Sequence, residues 1–346
     1  MTRKFFALAN SAGGLANLMD NNLSGIEKIY TISGDSKKQK TEILESVLKK
    51  GEILGDIECV ISPFDIKNID AVIMRNKGVA VVDRDCVLGG ITAKNVDLDK
   101  VNHSTPEIKK EFLAREKWAI GELYRCFDEG KVIHDEWEQI YIKNMDYGKL
   151  EAYEKGILDQ LLSGKKGKKG VRNYYRFFGA STPDGTVHYI DNLTETLSAR
   201  YFIKGRAGTG KSTFLKRVAR EANEKGFDTE MYYCGFDKNS LDMVIVPELD
   251  FCVFDSTPPH EMFPQSERDK ILDFYEESGL FGTDEKYEKE LYDVSARYEH
   301  KMAQGMAFLR ICKLYMKEKE YYLSKYLKEK EFHMLKDTVV KEVFEN

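Results

Sequence analysis

No stretch of this 346-residue chain approaches the roughly 18 consecutive apolar residues that a membrane-spanning helix needs, so no transmembrane helix is expected. The start, Met1-Thr2-Arg3-Lys4 followed by Phe5-Phe6-Ala7-Leu8-Ala9, carries charge and then apolar residues, but the apolar part is too short for a secretory signal. The six cysteines (Cys59, Cys86, Cys126, Cys234, Cys252, Cys312) contain no C-x-x-C spacing and read as reduced, mostly buried thiols of a cytoplasmic protein. Positive charge is not in excess. With 53 Lys and Arg against 58 Asp and Glu the net charge is −5, which argues against a dedicated nucleic-acid binder and leaves room only for a local basic face.

Against these absences stands one strong motif. Gly205-Arg206-Ala207-Gly208-Thr209-Gly210-Lys211-Ser212 fits G-x-x-x-x-G-K-[ST], a match expected by chance in only about one chain of this length in a hundred. Arg200-Tyr201-Phe202-Ile203-Lys204 reads as a strand entering the loop. The residues from Thr213 onward read as a helix whose apolar face is Phe214, Leu215, Val218, Ala219 and Ala222. The glycines permit positive φ and bring amide N–H groups close to phosphate oxygens. Lys211 is expected to reach the β- and γ-phosphates, and Ser212 to bind the Mg²⁺ that bridges them.

The second signal is internal repetition. Phe5-Phe6 matches Phe177-Phe178, Asn22-Leu23 matches Asn192-Leu193, and Tyr30 to Gly34 matches Tyr201 to Gly205. Asp65, Asp70 and Asp83 match Asp237, Asp242 and Asp255. The reading is a duplicated α/β unit: residues 1–165 and 171–346, each a parallel sheet flanked by helices and followed by a helical extension. In the first copy the loop reads Gly34-Asp35-Ser36-Lys37-Lys38-Gln39-Lys40-Thr41. It keeps the Lys-Thr end, but Gln39 replaces the preceding glycine. That copy is expected to be a degenerate site without hydrolysis, with weak anion binding by Lys37, Lys38 and Lys40 left open. The linker Ser163-Gly164-Lys165-Lys166-Gly167-Lys168-Lys169-Gly170 reads as a flexible tether, or else as a phosphate or nucleic-acid contact. No aromatic residues interleave within it.

A phosphate loop of this kind needs an acid at a neighbouring strand end. Phe251-Cys252-Val253-Phe254-Asp255 supplies it, and Asp255 is the expected Mg²⁺ ligand, with Asp237 second. Glu248 is the candidate for polarising an attacking water. His260 and Glu261 are candidates for sensing the γ-phosphate, while Asp242 reads as a helix cap. The helical stretches from about Thr105 to Leu162 and from about Asp284 to Phe344 read as core-packed extensions, insertions or lids, with Arg297 and Arg310 as possible sources of positive charge and their surfaces as a possible protein-partner site.

The intact motif Gly205 to Thr213 shares one copy with Asp237-Lys238-Asn239-Ser240-Leu241-Asp242 and with Val246-Pro247-Glu248-Leu249 leading to Asp255-Ser256-Thr257-Pro258-Pro259-His260. In this combination the chain resembles duplicated P-loop NTPases of spore-forming, Gram-positive bacteria. The resemblance implies tandem P-loop domains that bind and hydrolyse a nucleotide; with the loop motif, ATP or GTP is the expected ligand and Mg²⁺ the expected cofactor. The chain departs from that family at Ser36, Lys37, Lys38 and Gln39, and at Ser256 where the family carries Gly. Two further readings share the motif: a kinase passing the γ-phosphate to a small molecule or nucleoside, and a nucleotide-dependent switch that binds a partner.

Overall fold

The computed structural model describes residues 1–103, 109–168 and 170–345. Thr105 and Lys169, named above, lie outside them. In the first half the strands are β1 Thr2–Phe5, β2 Leu8–Ser11, β3 Gly14–Asn17, β4 Lys28–Ser33, β5 Ile57–Ile61, β6 Ile69–Met74, β7 Val79–Asp83 and β8 Lys94–Asp97. Its helices are α1 Met19–Leu23, α2 Lys37–Glu52, α3 Lys109–Ile142 and α4 Tyr147–Leu162. The second half repeats this order with β9 Asn173–Arg176, β10 Gly179–Thr182, β11 Gly185–His188, β12 Ala199–Lys204, β13 Thr229–Tyr233, β14 Leu241–Val246, β15 Phe251–Asp255 and β16 Asp269–Asp273. Its helices are α5 Ile190–Thr194, α6 Lys211–Glu224, the short α7 Phe274–Glu277 and α8 Thr283–Lys286, then α9 Glu288–Ser324 and α10 Glu329–Glu345.

Each half contains a six-stranded sheet with the same topology. The orders are β1-β5-β6-β7-β4-β8 and β9-β13-β14-β15-β12-β16. The halves are therefore a duplicated α/β unit, but the sheets are mixed rather than parallel. β6 and β14 run antiparallel to both their neighbours. The cause is the length of the connections. Val246 and Phe251 are joined only by a 3₁₀ turn, Pro247–Leu249, closed by Asp250 at φ 57°. A parallel pairing would need a crossover of a dozen or more residues.

Strand alternation sorts the side chains. Along β15, Phe251 and Val253 face α6 in the outer core, while Cys252 and Phe254 face a central core. That central core also takes Val60, Ala71, Ile73, Ala80 and Val82 from the first sheet. The two halves thus share a core, and a pseudo-twofold axis relates them. Phe6 N–H donates to Phe177 O and Phe177 N–H to Phe6 O, both at 2.9 Å. Asn21 accepts from Tyr175 N–H, and Asn192 from Lys4 N–H, each at 2.7 Å. Equivalent residues in this region stand 171 positions apart, the separation of Asn10 and Ser181. The structural partners are therefore Phe6 with Phe177 and Asn21 with Asn192, each shifted by one residue from the matches in the sequence.

The helical extensions are exchanged between halves. α4 follows the first sheet but buries Leu150, Ile157 and Leu161 against α6 in the second-half core. α10 follows the second sheet but buries Phe332, Val339 and Val343 against α2 in the first-half core. α3 and α9 pack along each other antiparallel, as Arg115–Glu318 near one end and Arg297–Glu136 near the other show. No described helix is long and apolar enough to cross a membrane. All six cysteines are free. Part of the basic linker is docked, because Gly167 N–H donates to Lys225 O at 2.8 Å, just past α6.

Candidate functional site

The loop Gly205 to Thr213 joins β12 to α6 in the strand–loop–helix order its motif requires. Gly208 and Gly210 take φ values of +76° and +83°, which a side chain would strain. A Cβ on Gly205 would come within 2.6 Å of Thr209 Oγ1, the hydroxyl that donates to Arg206 O at 2.8 Å. Gly210 precedes the first residue of α6, and Thr213 lies in its first turn. Among the described residues no acceptor lies on the amides of Gly208, Gly210, Lys211 or Ser212. Such amides at a helix N-terminus attract anions. Lys211 is nearly buried. Its Nζ donates to Arg206 O at 2.6 Å and lies 3.6 Å from Asp255 Oδ2. Ser212 Oγ accepts from Leu241 N–H at 2.8 Å, which holds it at the start of β14. Arg206 is turned to Asp284 at 2.8 Å and lies over the Tyr275 ring, and Ala207 completes the turn.

The acids separate into two groups. Asp255 ends β15 beside Lys211 and accepts from Thr257 Oγ1 at 2.7 Å. Asp242 is buried on β14 one step beyond the Met243–Phe254 pair, opposite Asp255, so it is a strand residue rather than a helix cap. Burial, and then the neighbouring Asp255, raise its carboxyl above the usual carboxylate range. His260 Nε2 lies 3.8 Å from Asp242 Oδ2, and burial holds this imidazole down at about 4, hence neutral. Asp237 sits in the β13–β14 turn, 3.5 Å from Lys131 of α3. Glu248 is not brought to the loop. It is exposed in the turn between β14 and β15, at the opposite end of these strands. Glu261 pairs with Lys204 at 3.0 Å, Arg297 is engaged by Glu136 and Asp293, and Arg310 is exposed.

One wall of the site comes from the other half. Glu138 O lies 2.9 Å, and Ile142 Cγ1 3.1 Å, from where a Cβ on Gly208 would be. Leu150 of α4 packs in the same way on Gly210. Burial raises the Glu138 carboxyl above the usual range, and its Oε1 lies 3.6 Å from His134 Nδ1. Helix periodicity in α3 signals a packed helix but not what it packs on.

The first half shows what the degenerate loop became. α2 begins at Lys37, whereas α6 begins at Lys211, whose counterpart is Lys40. An added helical turn takes up the loop, capped by Ser36, whose Oγ accepts from Gln39 N–H at 3.2 Å. Its N-terminus already holds an anion. Glu320 of α9 accepts from Ser36 Oγ at 2.6 Å, from Lys37 N–H at 2.5 Å and from Lys38 N–H at 3.3 Å. Lys37 and Lys40 are directed to Asp70, Asp83 and Asp85. The register that aligns Leu150, Ile157 and Leu161 with Phe332, Val339 and Val343 also aligns Glu138 with Glu320 and Lys131 with Lys313. Lys313 makes the matching 3.3 Å pair with Asp65. Glu320→Ala should lower chain stability by about 1.5–3 kcal/mol, the range for hydrogen bonds to a charged acceptor. Thermal melting checks this, and ligand affinity at the second loop should stay unchanged.

No protein family, curated protein or solved structure matches this chain.

Proposed function

We propose that the second half binds a nucleoside triphosphate, ATP or GTP, through Gly205 to Thr213 and hydrolyses it slowly with Mg²⁺. The observation that carries this reading is the set of loop amides at the start of α6 with no acceptor among the described residues, beside a lysine and a strand-end carboxylate. The contrast with the first loop supports it, since there a protein carboxylate already occupies the helix N-terminus. On this reading the amides hold phosphate oxygens. Lys211 exchanges its bond to Arg206 O for the β- and γ-phosphates and stabilises the charge that develops on them. Ser212 and Asp255 fit a hard cation, being a hydroxyl and a carboxylate on adjacent elements. The ion would neutralise the phosphates when bound. Glu248 takes no part. Glu138 of α3, whose backbone oxygen and Cβ lie against Gly208, is the carboxylate this reading assigns in its place. The first half supports the second through the shared core and the exchanged helices.

The purified chain should bind one nucleoside triphosphate per molecule, with ATP or GTP raising the melting temperature, and should release phosphate only with Mg²⁺ present. Calorimetric stoichiometry and a thermal-shift panel of nucleotides check this. Absence of any nucleotide effect would remove the reading, and two equivalents bound would contradict the closed first loop.

A further inference from the structure

The acid pair beside each loop is built twice, and only the first version has an amine bridging its two carboxylates. The register Ala71–Val82 in β6–β7 places Asp70 opposite Asp83, as Met243–Phe254 places Asp242 opposite Asp255. In the first half an amine bridges the pair. Lys37 Nζ lies 2.6 Å from Asp70 Oδ1 and 2.7 Å from Asp83 Oδ2. Lys40 Nζ adds a second cation at 2.7 Å from Asp83 Oδ1. Two lysines face two buried aspartates there, and the exposed Asp85 completes the group.

The second half keeps both aspartates and loses one lysine. Gly208 stands at the position of Lys37, where α3 leaves no room for a side chain. Lys211, the counterpart of Lys40, is 3.6 Å from Asp255 and donates elsewhere. The counterpart of Asp85 is the neutral Thr257. Asp242, buried, and Asp255, half-buried, therefore face one lysine and have no bridging amine. Ser212 Oγ, pinned by Leu241 N–H, stands next to Asp242 in the chain fold and adds a third oxygen.

We propose that Asp242 and Asp255 together hold one divalent cation, Mg²⁺ or Mn²⁺, in the place that the Lys37 ammonium takes between Asp70 and Asp83. Carboxylates drawn out of water need a compensating charge. Lys37 supplies it covalently in one half, and the ion supplies it in the other. One divalent ion over-compensates the pair by a single charge, which a bound phosphate oxygen then balances. Mg²⁺ is characteristically held by one or two carboxylates together with substrate phosphates. The inference deepens the nucleotide reading by naming the second carboxylate of its metal, yet binding of the ion is expected without nucleotide.

Mn²⁺ titration of the nucleotide-free full-length chain, followed by electron paramagnetic resonance, tests it. The unmodified protein should bind one Mn²⁺. Asp242→Asn should weaken that binding at least tenfold and should abolish the rise in melting temperature that Mg²⁺ produces. Lys37→Ala should open the twin pair and raise the stoichiometry to two, while Lys37→Arg should leave it at one. Unaltered Mn²⁺ affinity in Asp242→Asn, or no Mn²⁺ bound by the unmodified chain, overturns the proposal. Should Lys37→Ala fail to fold, Asp242→Asn decides alone, since its near-isosteric change relieves a repulsion. Nucleotide binding measured in parallel separates the two ideas: nucleotide bound normally by a chain that ignores Mn²⁺ sinks only the ion pair.

Discussion

Lys211→Ala is expected to reduce nucleoside triphosphate hydrolysis by about 10²- to 10³-fold, the range seen when one preorganised donor to developing charge is removed. The side chain is nearly buried, so its ammonium is poorly hydrated and acts in a site of low polarity. Its two contacts, Arg206 O at 2.6 Å and Asp255 Oδ2 at 3.6 Å, leave it free to turn towards a phosphate without breaking a close ion pair. Lys40 is the internal control. It occupies the same place in the first half but is fixed to Asp83 and Asp85 at 2.7 and 2.5 Å. Lys40→Ala should therefore lower stability and leave turnover per folded molecule unchanged. Phosphate release at saturating nucleotide, normalised to folded protein by circular dichroism, distinguishes the two variants. Undiminished hydrolysis in Lys211→Ala would falsify the assignment of the site.

Glu230→Ala is expected to cost about 3–5 kcal/mol of stability, because it strips a buried ion network of one partner. Arg176 is fully buried, with Nη2 2.6 Å from Glu58 Oε1, Nη1 3.3 Å from Glu230 Oε2 and its guanidinium over the Phe5 ring. Arg3 forks onto Glu230 at 2.7 and 2.6 Å, and Tyr232 OH donates to the same carboxylate at 2.7 Å. Without Glu230 the Arg176 charge keeps only Glu58. Arg3 and Glu58 belong to the first half and Arg176 and Glu230 to the second, so the loss should loosen the shared core. Urea denaturation followed by far-ultraviolet circular dichroism measures it.

The same group predicts a pH dependence. Although burial opposes its ionisation, Arg176 and Arg3 hold the Glu230 carboxyl well below the usual carboxylate range. A carboxyl depressed in the folded state stabilises the fold above its unfolded value of about 4.3. That contribution is lost as pH falls below this value towards the folded one. The wild-type chain should therefore lose stability steeply below about pH 4.5, and Glu230→Gln should show a shallower decline from a lower starting point. Equal slopes in the two proteins would remove Glu230 as the cause.

The loop was legible because it is local. Gly205, Gly208, Gly210, Lys211 and Ser212 act through their own backbone and immediate neighbours, so a contiguous motif carries the geometry. The duplication was legible for a related reason: Tyr30 to Gly34 and Tyr201 to Gly205 each keep a strand and the turn leaving it. The sheet direction was misread because the short Pro247–Leu249 turn weighs little in an apolar pattern yet dictates a hairpin. Glu248 fell to the far end of the strands for the same reason. Asp242 was misassigned because its meaning lies in strand register, which places it opposite Asp255.

The amino-acid sequence by itself determined that this is a duplicated α/β chain with one glycine-rich, lysine-bearing loop, since short-range backbone geometry and strand periodicity are written in neighbouring residues. Only the tertiary structure decided which elements complete each half. It laid α4 on the second core and α10 on the first, set Glu138 over the intact loop, and brought Glu320 onto the amide of Lys37, 283 residues away. Such pairings arise from packing between distant apolar faces and from buried charges finding partners, and no local pattern encodes them. The contrast between a loop occupied by the chain's own carboxylate and one whose amides have no acceptor among the described residues therefore appears only in three dimensions.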